Sequence, residues 1–530
     1  MTRSAPSDPP TPSDPPRPGS ATAGAAVGDK GLAHGTLGLA GSVVIGLAST
    51  APVYSLAATL GFVVLAVGAQ APIAIILAFV PMLLIAFAYR ELNTAVPDCG
   101  TTFTWATKAF GPRTGWMGGW GVIIAGVIVL ANLAQIGGTY FWLLVAPAVA
   151  DDVAAVTATG VAFIVIMIWV SYRGMQIGER VQNVLLGIQY LALVLFVVFA
   201  LVSVFTGTAP TGAVMPSLEW FNPFAFDSVP AFTEAILLSI FIYWGWDTCL
   251  ALNEETKDPE RTPGRAAIIS TVILVITYVS VSVAAMAYAG LGEAGLGLAN
   301  EANADDVFFA LKDALFGPWA WLLVIAVMVS AISSTQTTIL PTARGTLAMA
   351  AYKALPKRFG EVHPRFRTPA FSTFVMGAVS ITFYVGMTLV SENILADSIA
   401  ALGLAIAFYY GITGYACVWY FRRELTRSAR DLLIKGVMPL AGALMLTAAF
   451  VQSLVDMIQP DYGSGVLLGV GSVFVVGLGS LLLGVVLMIV WAAFAASRPF
   501  FRGESLNRDT EVLVPEDEQE YRRSVDGGLV

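Results

Sequence analysis

The chain has 530 residues, of which 57% are hydrophobic and 12% are charged, and its mean hydropathy is +0.76. Soluble globular domains carry about 25% charged residues, so this composition excludes that class and indicates a membrane protein with many spans. The formal net charge is −8. Because the acids gather in loops on one side of the membrane, this charge gives no reason to expect a nucleic-acid partner.

The first 35 residues repeat Pro, Ser and Asp and lack the apolar core of a signal peptide. They predict a disordered tail, so the first span is not expected to be cleaved. The end of the chain, residues 496–530, includes the acidic run Glu516-Asp517-Glu518-Gln519-Glu520. It predicts a second solvated tail.

Between the tails, about twelve apolar stretches approach or exceed the roughly 20 residues that cross a bilayer as a helix. Short polar loops separate them, which predicts an all-α, multi-pass protein surrounded by lipid. The stretches lie near residues 37–67, 71–89, 114–146, 153–172, 181–205, 231–252, 266–290, 317–350, 370–390, 396–421, 432–456 and 463–495.

The basic residues predict the orientation, because loops in the cytoplasm retain Lys and Arg. The odd-numbered loops carry one basic residue, Lys312. They also carry acids such as Asp151, Asp152, Asp305 and Asp306. We therefore expect a cell-membrane protein with both termini in the cytoplasm. The even-numbered loops and their flanks carry Arg90, Lys108, Arg113, Arg173, Arg180, Lys257, Arg261, Arg265, Lys353, Lys357, Arg358, Arg365, Arg367, Arg422, Arg423, Arg427, Arg430 and Lys435.

The first span is interrupted near its middle by the sequence Ala48-Ser49-Thr50-Ala51-Pro52. Proline removes a backbone donor and clashes with the preceding turn, so we expect the helix to kink or open there.

The sixth span is interrupted by Trp244-Gly245-Trp246-Asp247. A charged side chain at the centre of a bilayer costs about 2.5 to 3.5 kcal/mol on insertion scales, so Asp247 beside a glycine indicates a cavity, a ligand or a moving joint. A purely structural kink is the alternative for either break alone. If spans one to five and six to ten are two repeats, however, the breaks occupy corresponding helices, as in transporters built from inverted repeats.

Three loops on the predicted cytoplasmic side resemble those of permeases in the amino acid, polyamine and organocation (APC) superfamily. The resemblance covers about residues 36–425. After span two it consists of Glu91, Pro97, Gly100, Phe103, Trp105 and Phe-Gly-Pro at 110–112; after span six, of Glu254, Glu255, Lys257, Asp258-Pro259, Arg261 and Pro263; and after span eight, of Arg344 and the Leu-Pro-x-x-Phe loop that leads to Pro369.

This resemblance implies an inverted-repeat core of five plus five helices over residues 36–425, with discontinuous helices one and six. Helices eleven and twelve, in 426–495, would lie outside the repeats. The substrate, an amino acid, would bind between spans one, three, six, eight and ten. The expected carboxylate site is Ser49, Thr50 and Ala51, and the expected ammonium site is the carbonyls of Phe241 and Trp244, with Gly245 permitting the unwinding.

Two further residues of the sixth span are candidates for gating or for support behind the pocket. Trp246 is a candidate gate, with ordinary packing as its alternative. Asp247 stands where relatives often have Glu, which implies a supporting hydrogen-bond group. Two alternatives stay open: Asp247 is a buried acid satisfied by neighbouring backbone groups, or it pairs with the distal amine of a polyamine or cationic amino acid.

The coupling ion stays open between H⁺ and Na⁺, and exchange and uniport are also possible. Ser333 and Ser334 in span eight resemble hydroxyls that, with span-one carbonyls, form a sodium site in this fold class. Some proton-coupled members place a lysine in span five, where this chain has Gln189. Asn132, Gln135, Tyr409 and Tyr410 could face the pocket or could bond between helices.

Other function classes lack their signatures. The sequence has no HExxH, GxSxG or P-loop motif, and both histidines lie outside the predicted spans, so neither a membrane enzyme nor an ATP-driven pump is expected. No metal or organic cofactor is implied, and the three cysteines are expected to be reduced thiols. A membrane nutrient sensor that binds without flux remains the alternative from another class, and the oligomeric state is open.

Overall fold

The computed structural model describes residues 30–512, apart from 227, 391, 461, 463–464 and 468. The described chain is almost entirely helical. Its helices are α1 Leu39–Ser49, α2 Pro52–Val67, α3 Ala71–Ala95, α4 Thr102–Phe110, α5 Pro112–Val145, α6 Val153–Tyr172, α7 Met175–Thr206, α8 Val229–Ile242, α9 Thr248–Ala251, α10 Thr262–Ala289, α11 Val307–Phe316, α12 Trp321–Ala351, α13 Ala370–Val390, α14 Glu392–Tyr420, α15 Ala429–Asp431, α16 Met438–Met457, α17 Ser472–Ala492 and α18 Arg498–Phe501.

Ten helical stretches of the described chain are long and apolar enough to cross a membrane. The first, Leu39–Ala95, has 57 residues and would be about 86 Å long as one helix, whereas a hydrocarbon core is about 30 Å thick. It is broken after α1 and again at Gly68–Gln70, so it supplies two crossings. The broken helix formed by α8 and α9 supplies one more. Together these give the twelve spans that the sequence predicts.

Helices in the same position of each half pack against one another. The second spans, α3 and α10, are in contact, as are the third spans, α5 and α12, and the fourth, α6 and α13. The first spans also meet, α1 against α9 and α2 against α8. Such pairing is what two repeats related by a pseudo-two-fold axis produce.

The loop after span two contains a buried helix that the hydropathy of the chain does not predict. It is α4, which lies between Thr101, at φ +43°, and Gly111, at φ +101°. All residues from Thr102 to Lys108 are buried, and α4 packs on α5 and α14. The Phe-Gly-Pro motif therefore marks a tight corner: Gly111 takes a conformation that favours glycine, and Pro112 begins α5.

Both predicted tails are shorter than the sequence suggests. Lys30 and Leu32, within the predicted tail 1–35, are buried, and so are Phe500 and Leu506 in the predicted tail 496–530. The reason is that these polar segments contain scattered apolar side chains, which pack together at one end of the bundle. We call this end, where residues 30–37 and 498–512 pack, the terminal face. The rest of both predicted tails, 1–29 and 513–530, lies outside the described residues.

The last span also begins later than predicted. Instead of a helix from residue 463, an antiparallel hairpin pairs Val466–Leu467 with Val470–Gly471, and α17 follows from Ser472. Gly469, at φ +83°, makes the turn, which explains why an apolar sequence leaves the helix here. At the other end of span eleven, a π-helical stretch over Leu432–Val437 joins α15 to α16.

Candidate substrate site at two broken helices

The first span opens where the sequence predicts. Helix α1 ends at Ser49, Ala51 adopts the left-handed conformation with φ +47° and ψ +60°, and Pro52 begins α2. Proline fits the first position of a helix because the amide it lacks would have no partner inside that helix. The pair Ala51-Pro52 therefore ends one helix and starts another.

The sixth span opens opposite the first. Helix α8 ends at Ile242 and α9 begins at Thr248, with Gly245 between them at φ +113°. A Cβ atom built on Gly245 would lie 2.7 Å from the carbonyl oxygen of Ser49. The hydroxyls of Ser49 and Thr248 are hydrogen-bonded at 2.8 Å. The two breaks are thus in direct contact, and glycine at 245 is what allows it.

The three residues predicted for a carboxylate lie together at this contact, and all are buried. Their polar side chains are engaged within the protein. Ser49 contacts Thr248 through its hydroxyl and accepts from Ser334 at its carbonyl, at 2.9 Å. The hydroxyl of Thr50 donates to the Leu47 carbonyl at 2.8 Å. Any contribution of these residues to a ligand must therefore come from backbone groups or from exchange of these bonds.

The two carbonyls predicted for an ammonium differ in their surroundings. The Phe241 carbonyl accepts from the Trp244 amide at 3.0 Å and so helps to end α8. Within the described residues, the structure gives no hydrogen-bond partner to the Trp244 carbonyl. The Trp244 indole donates to the Tyr409 hydroxyl at 2.6 Å, which fixes the tryptophan against α14.

Asp247 lies next to the break and is held by span ten. The Tyr410 hydroxyl donates to its Oδ1 at 2.8 Å, and the Tyr409 hydroxyl lies 3.3 Å from its Oδ2. Asp247 is half-buried, whereas its neighbours Trp246 and Thr248 are buried. The carboxylate therefore keeps some accessible surface while two tyrosines fix its orientation. Both tyrosines that the sequence singled out reach the break.

Trp246 is fully buried in an aromatic cluster. Its ring lies 5.2 Å from that of Tyr89, edge to face, and 5.4 Å from that of Tyr410. Among the described groups, no hydrogen-bond partner is found for its indole N–H. In this conformation Trp246 packs span six against spans two and ten.

Of the two serines predicted for an ion site, Ser334 lies beside the first break. Ser334 bonds to the Ser49 carbonyl, and the Ser330 hydroxyl accepts from the Tyr54 amide at 3.2 Å. Ser333, however, donates to Gln182 Oε1 at 2.5 Å, and Gln182 Nε2 donates back to the Ser333 carbonyl at 3.0 Å.

Gln182 is the span-five residue at this site, and the sequence reasoning missed it in favour of Gln189. Gln189 instead bonds weakly to the Leu185 carbonyl of its own helix, at 3.4 Å. The two glutamines are seven residues apart, about two helical turns, and so share one face of α7. The spacing of the two glutamines indicated that either could face span eight. It does not indicate which of them lies at the same height in the membrane as Ser333.

The two polar candidates of span three differ in the contacts that they make. Gln135 accepts from the Tyr384 hydroxyl of α13 at 2.7 Å. Asn132 donates to the Ile128 carbonyl of its own helix at 3.2 Å. Gln135 therefore follows the interhelical alternative.

The three motif loops meet at the terminal face in a buried ionic network. Arg344 of α12 forms a two-bond ion pair with Glu255, at 2.5 and 3.0 Å, and neither side chain is more than 1% exposed. Lys30 lies between Asp98, at 2.7 Å, and Glu254, at 2.5 Å. Burial would lower the pKa of Lys30, but these two carboxylates raise it above its usual value. The lysine therefore carries its charge at neutral pH.

The same cluster offers ligand atoms of Asp98, Cys99 and Glu254 within 4.8 Å of one another, a spacing that could suit a metal ion. The ammonium group of Lys30 already contacts both carboxylates. The cluster thus contains its own cation, supplied by the chain.

Comparison with known proteins agrees with this architecture. The profile described as amino acid permease matches residues 35–478. The chain belongs to the amino acid permease family. The permease is 30% identical to an uncharacterized transporter of Mycobacterium tuberculosis over 348 residues, which are 65% of this chain and 72% of that protein.

The names of two further relatives of the permease state what class of molecule they transport. The low-affinity putrescine importer of Escherichia coli strain K12 is 23% identical over 417 residues, covering 78% of this chain and 88% of the importer. Asc-type amino acid transporter 1 of the mouse is 26% identical over 332 residues, covering 60% of each protein. The family and these relatives are transporters rather than enzymes, so the permease is a multi-pass membrane transporter, as the resemblance implied.

Proposed function

We propose that this permease moves an amino acid across the cell membrane by alternating access, with the substrate held where spans one and six are broken. The observation that supports this most directly is the contact of the two breaks, Gly245 against the Ser49 carbonyl. Helix ends that meet inside the membrane expose backbone groups of both polarities, which a zwitterion matches.

The carboxylate would bind at the start of α2. The first amides of a helix have no partner inside that helix and lie at the positive end of its dipole. Here the Tyr54 amide bonds to Ser330 and the Ser55 amide bonds to the Ala51 carbonyl. Among the described residues, no hydrogen-bond partner is given for the Val53 amide, so it is left for a ligand; it lies two residues beyond the segment that the sequence favoured.

The ammonium would bind at the opposite side of the contact. The Trp244 carbonyl is the better acceptor, because the Phe241 carbonyl already ends α8. Asp247 lies three residues further on, where Tyr409 and Tyr410 orient its carboxylate. In this arrangement Asp247 stabilises the positive charge from behind the carbonyl.

Orientation and coupling belong to the same proposal. The terminal face would be cytoplasmic, because the loops rich in Lys and Arg lie there. Transport would draw on an H⁺ or Na⁺ gradient or on exchange. Ser334 and the Ser49 carbonyl are where a sodium ion would bind, if sodium is the coupling ion.

The test is uptake by the purified protein in liposomes, with a panel of amino acids and amines under separate proton and sodium gradients. Gly245→Leu is expected to reduce saturable uptake at least 100-fold without loss of membrane insertion, because the side chain would collide with Ser49. Gly187→Leu is the matched control, since nothing lies within 4 Å of a Cβ built at that position in span five. Near-normal uptake by Gly245→Leu would refute the open joint, and binding without flux would favour a sensor.

A polyamine or cationic amino acid is the second candidate substrate. The half-buried carboxylate of Asp247 is the observation that favours it, and one relative is a putrescine importer. If a second amine pairs with Asp247, Asp247→Asn should abolish putrescine uptake and spare the uptake of neutral amino acids. Equal loss for both substrates would favour the supporting role of Asp247.

A further inference from the structure

A short segment before the first span, residues 30–37, is bound tightly to the terminal face. The amides of Thr36 and Leu37 donate to the Glu255 carbonyl at 2.9 and 3.0 Å, and the Lys257 amide donates to the Leu37 carbonyl at 2.9 Å. Leu32 is buried in a cluster that includes Cys99 and Tyr352. The segment therefore lies along the end of span six and reaches the loop after span two.

Lys30 joins three elements that belong to different spans. Its ammonium contacts Asp98 of the loop after span two and Glu254 at the end of span six. The Tyr352 hydroxyl, at the end of span eight, donates to Asp98 Oδ2 at 2.7 Å. One cation thus links the loop after span two to the end of span six, and Asp98 links the same loop to the end of span eight.

Among the described residues, the other hydrogen-bond partners of Asp98 and Glu254 are neutral groups. Asp98 Oδ1 accepts from the Thr104 hydroxyl and the Gly100 amide, and Glu254 Oε1 accepts from the Cys99 amide. Two buried carboxylates without a cation would be strongly unfavourable. Charge balance therefore holds Lys30 in place as long as this face stays dry, and hydration of the face would release it.

Lys30 lies outside the part of the chain that the family shares, which begins at residue 35. The carboxylates Asp98 and Glu254 lie inside it. The lysine therefore links a segment that precedes the matched part of the chain to two acids inside it.

We propose that Lys30 is a gating residue: it is a tethered cation that locks the terminal face by pairing with Asp98 and Glu254, and it must leave them before substrate can pass that face. This inference rests on the proposed function, because a lock on one face matters only to a protein that opens its two faces in turn. Hydration of the acids as spans two, six and eight separate would replace the ion pairs.

Cys99 provides a native reporter for this movement. Its side chain is buried directly beside Glu254, and its thiol donates to the Arg344 carbonyl at 3.6 Å. Burial raises the pKa of this thiol, and maleimides react with the thiolate, so the locked face should protect Cys99. The other cysteines, Cys249 and Cys417, are replaced by Ala so that only Cys99 is labelled.

The experiment measures the rate at which a water-soluble maleimide labels Cys99 in the full-length protein without substrate. Lys30→Met is expected to raise the rate at least 10-fold, and Lys30→Arg is expected to stay within about threefold of the parent because it keeps the charge. The control is Lys312→Met, which removes a lysine that pairs with the exposed Asp313 at 2.5 Å outside the terminal face. Labelling of Lys30→Met at the parent rate, with a monodisperse protein, would overturn the proposal.

If Lys30→Met does not fold, the double variant Lys30→Met/Glu254→Gln takes its place, because it removes one carboxylate together with the cation. The same acceleration is expected, and the parent rate again overturns the proposal. Tyr352→Phe deletes only the hydroxyl bond to Asp98 and should accelerate labelling about threefold. Labelling needs no substrate, so failure of the uptake assay and failure of the lock are separate results.

Discussion

The facing breaks and the terminal face are both buried contacts between spans one, six and eight, yet they are held by different forces. At the breaks, neutral hydroxyls and carbonyls of Ser49, Thr248 and Ser334 bond to one another. At the terminal face, Glu255 and Arg344 meet as charges. Neutral hydrogen bonds contribute about 0.5 to 1.5 kcal/mol each, whereas removing one partner of a buried ion pair costs about 3 to 5 kcal/mol.

This difference suits the two tasks that we propose for these regions. A binding site must exchange its internal bonds for bonds to a ligand, so its own contacts should be weak and of similar strength to those that replace them. A closed face must instead resist water until the whole structure rearranges. The predictions below alter one region at a time to test whether the division holds.

The largest effect is expected at the ion pair of the terminal face. Arg344→Met leaves Glu255 buried without its cation and should lower the free energy of unfolding by about 3 to 5 kcal/mol. The measurement is thermal unfolding of the purified protein. Arg427→Met is the control, since this arginine is 68% exposed and pairs with Glu424 at 3.8 Å, so its loss should cost less than about 1 kcal/mol. Equal destabilisation by both variants would contradict the assignment of strength to the buried pair.

A smaller effect, on uptake, is expected from the hydrogen bond between Tyr410 and Asp247 beside the break in span six. Tyr410→Phe removes the 2.8 Å bond to Asp247 and should reduce uptake about 10- to 100-fold, since hydrogen bonds to charged groups are worth about 1.5 to 3 kcal/mol. Tyr415→Phe is its control in the same helix, because the Tyr415 hydroxyl bonds to Thr447 on an exposed surface. Comparable uptake by the two variants would remove Asp247 from the site.

The smallest effect is expected for the neutral contacts themselves. Ser334→Ala deletes one donor to the Ser49 carbonyl and should cost about 1 kcal/mol of stability. Its effect on transport separates the coupling schemes: a sodium site at this position predicts that the variant loses sodium-stimulated uptake, whereas unchanged sodium dependence places coupling elsewhere. Thr382→Ala, whose hydroxyl bonds only within its own exposed helical turn, is the comparison.

The positions of both breaks could be predicted from the sequence, because a proline near the middle of a span and a glycine beside a charged residue both disfavour a continuous apolar helix. Asp247 stood out for the same kind of reason, since charge is rare in a span. What the sequence could not supply was the partner of each polar group. Gln182 and Gln189 share a helix face, and only the packing of α7 on α12 decides which of them meets Ser333.

The terminal segments show the same limit. A polar segment with scattered apolar residues predicts a solvated tail unless the acids that receive it are known. Lys30 is one of seven lysines in the chain, and nothing sets it apart until Asp98 and Glu254, each far from it in the chain, come within 2.7 and 2.5 Å. Long-range charge pairing leaves no local mark in a sequence, whereas a helix break is marked by the proline or glycine that causes it.

The two joints also differ in stiffness. Ala51 adopts a left-handed conformation that is strained for any residue with a Cβ, and the ring of Pro52 fixes the next φ angle. Gly245 carries no such restriction. The backbone torsions at the break in span one are thus restricted, whereas those at Gly245 in span six are not. Rotation during a transport cycle would therefore concentrate in span six, while span one keeps its bend.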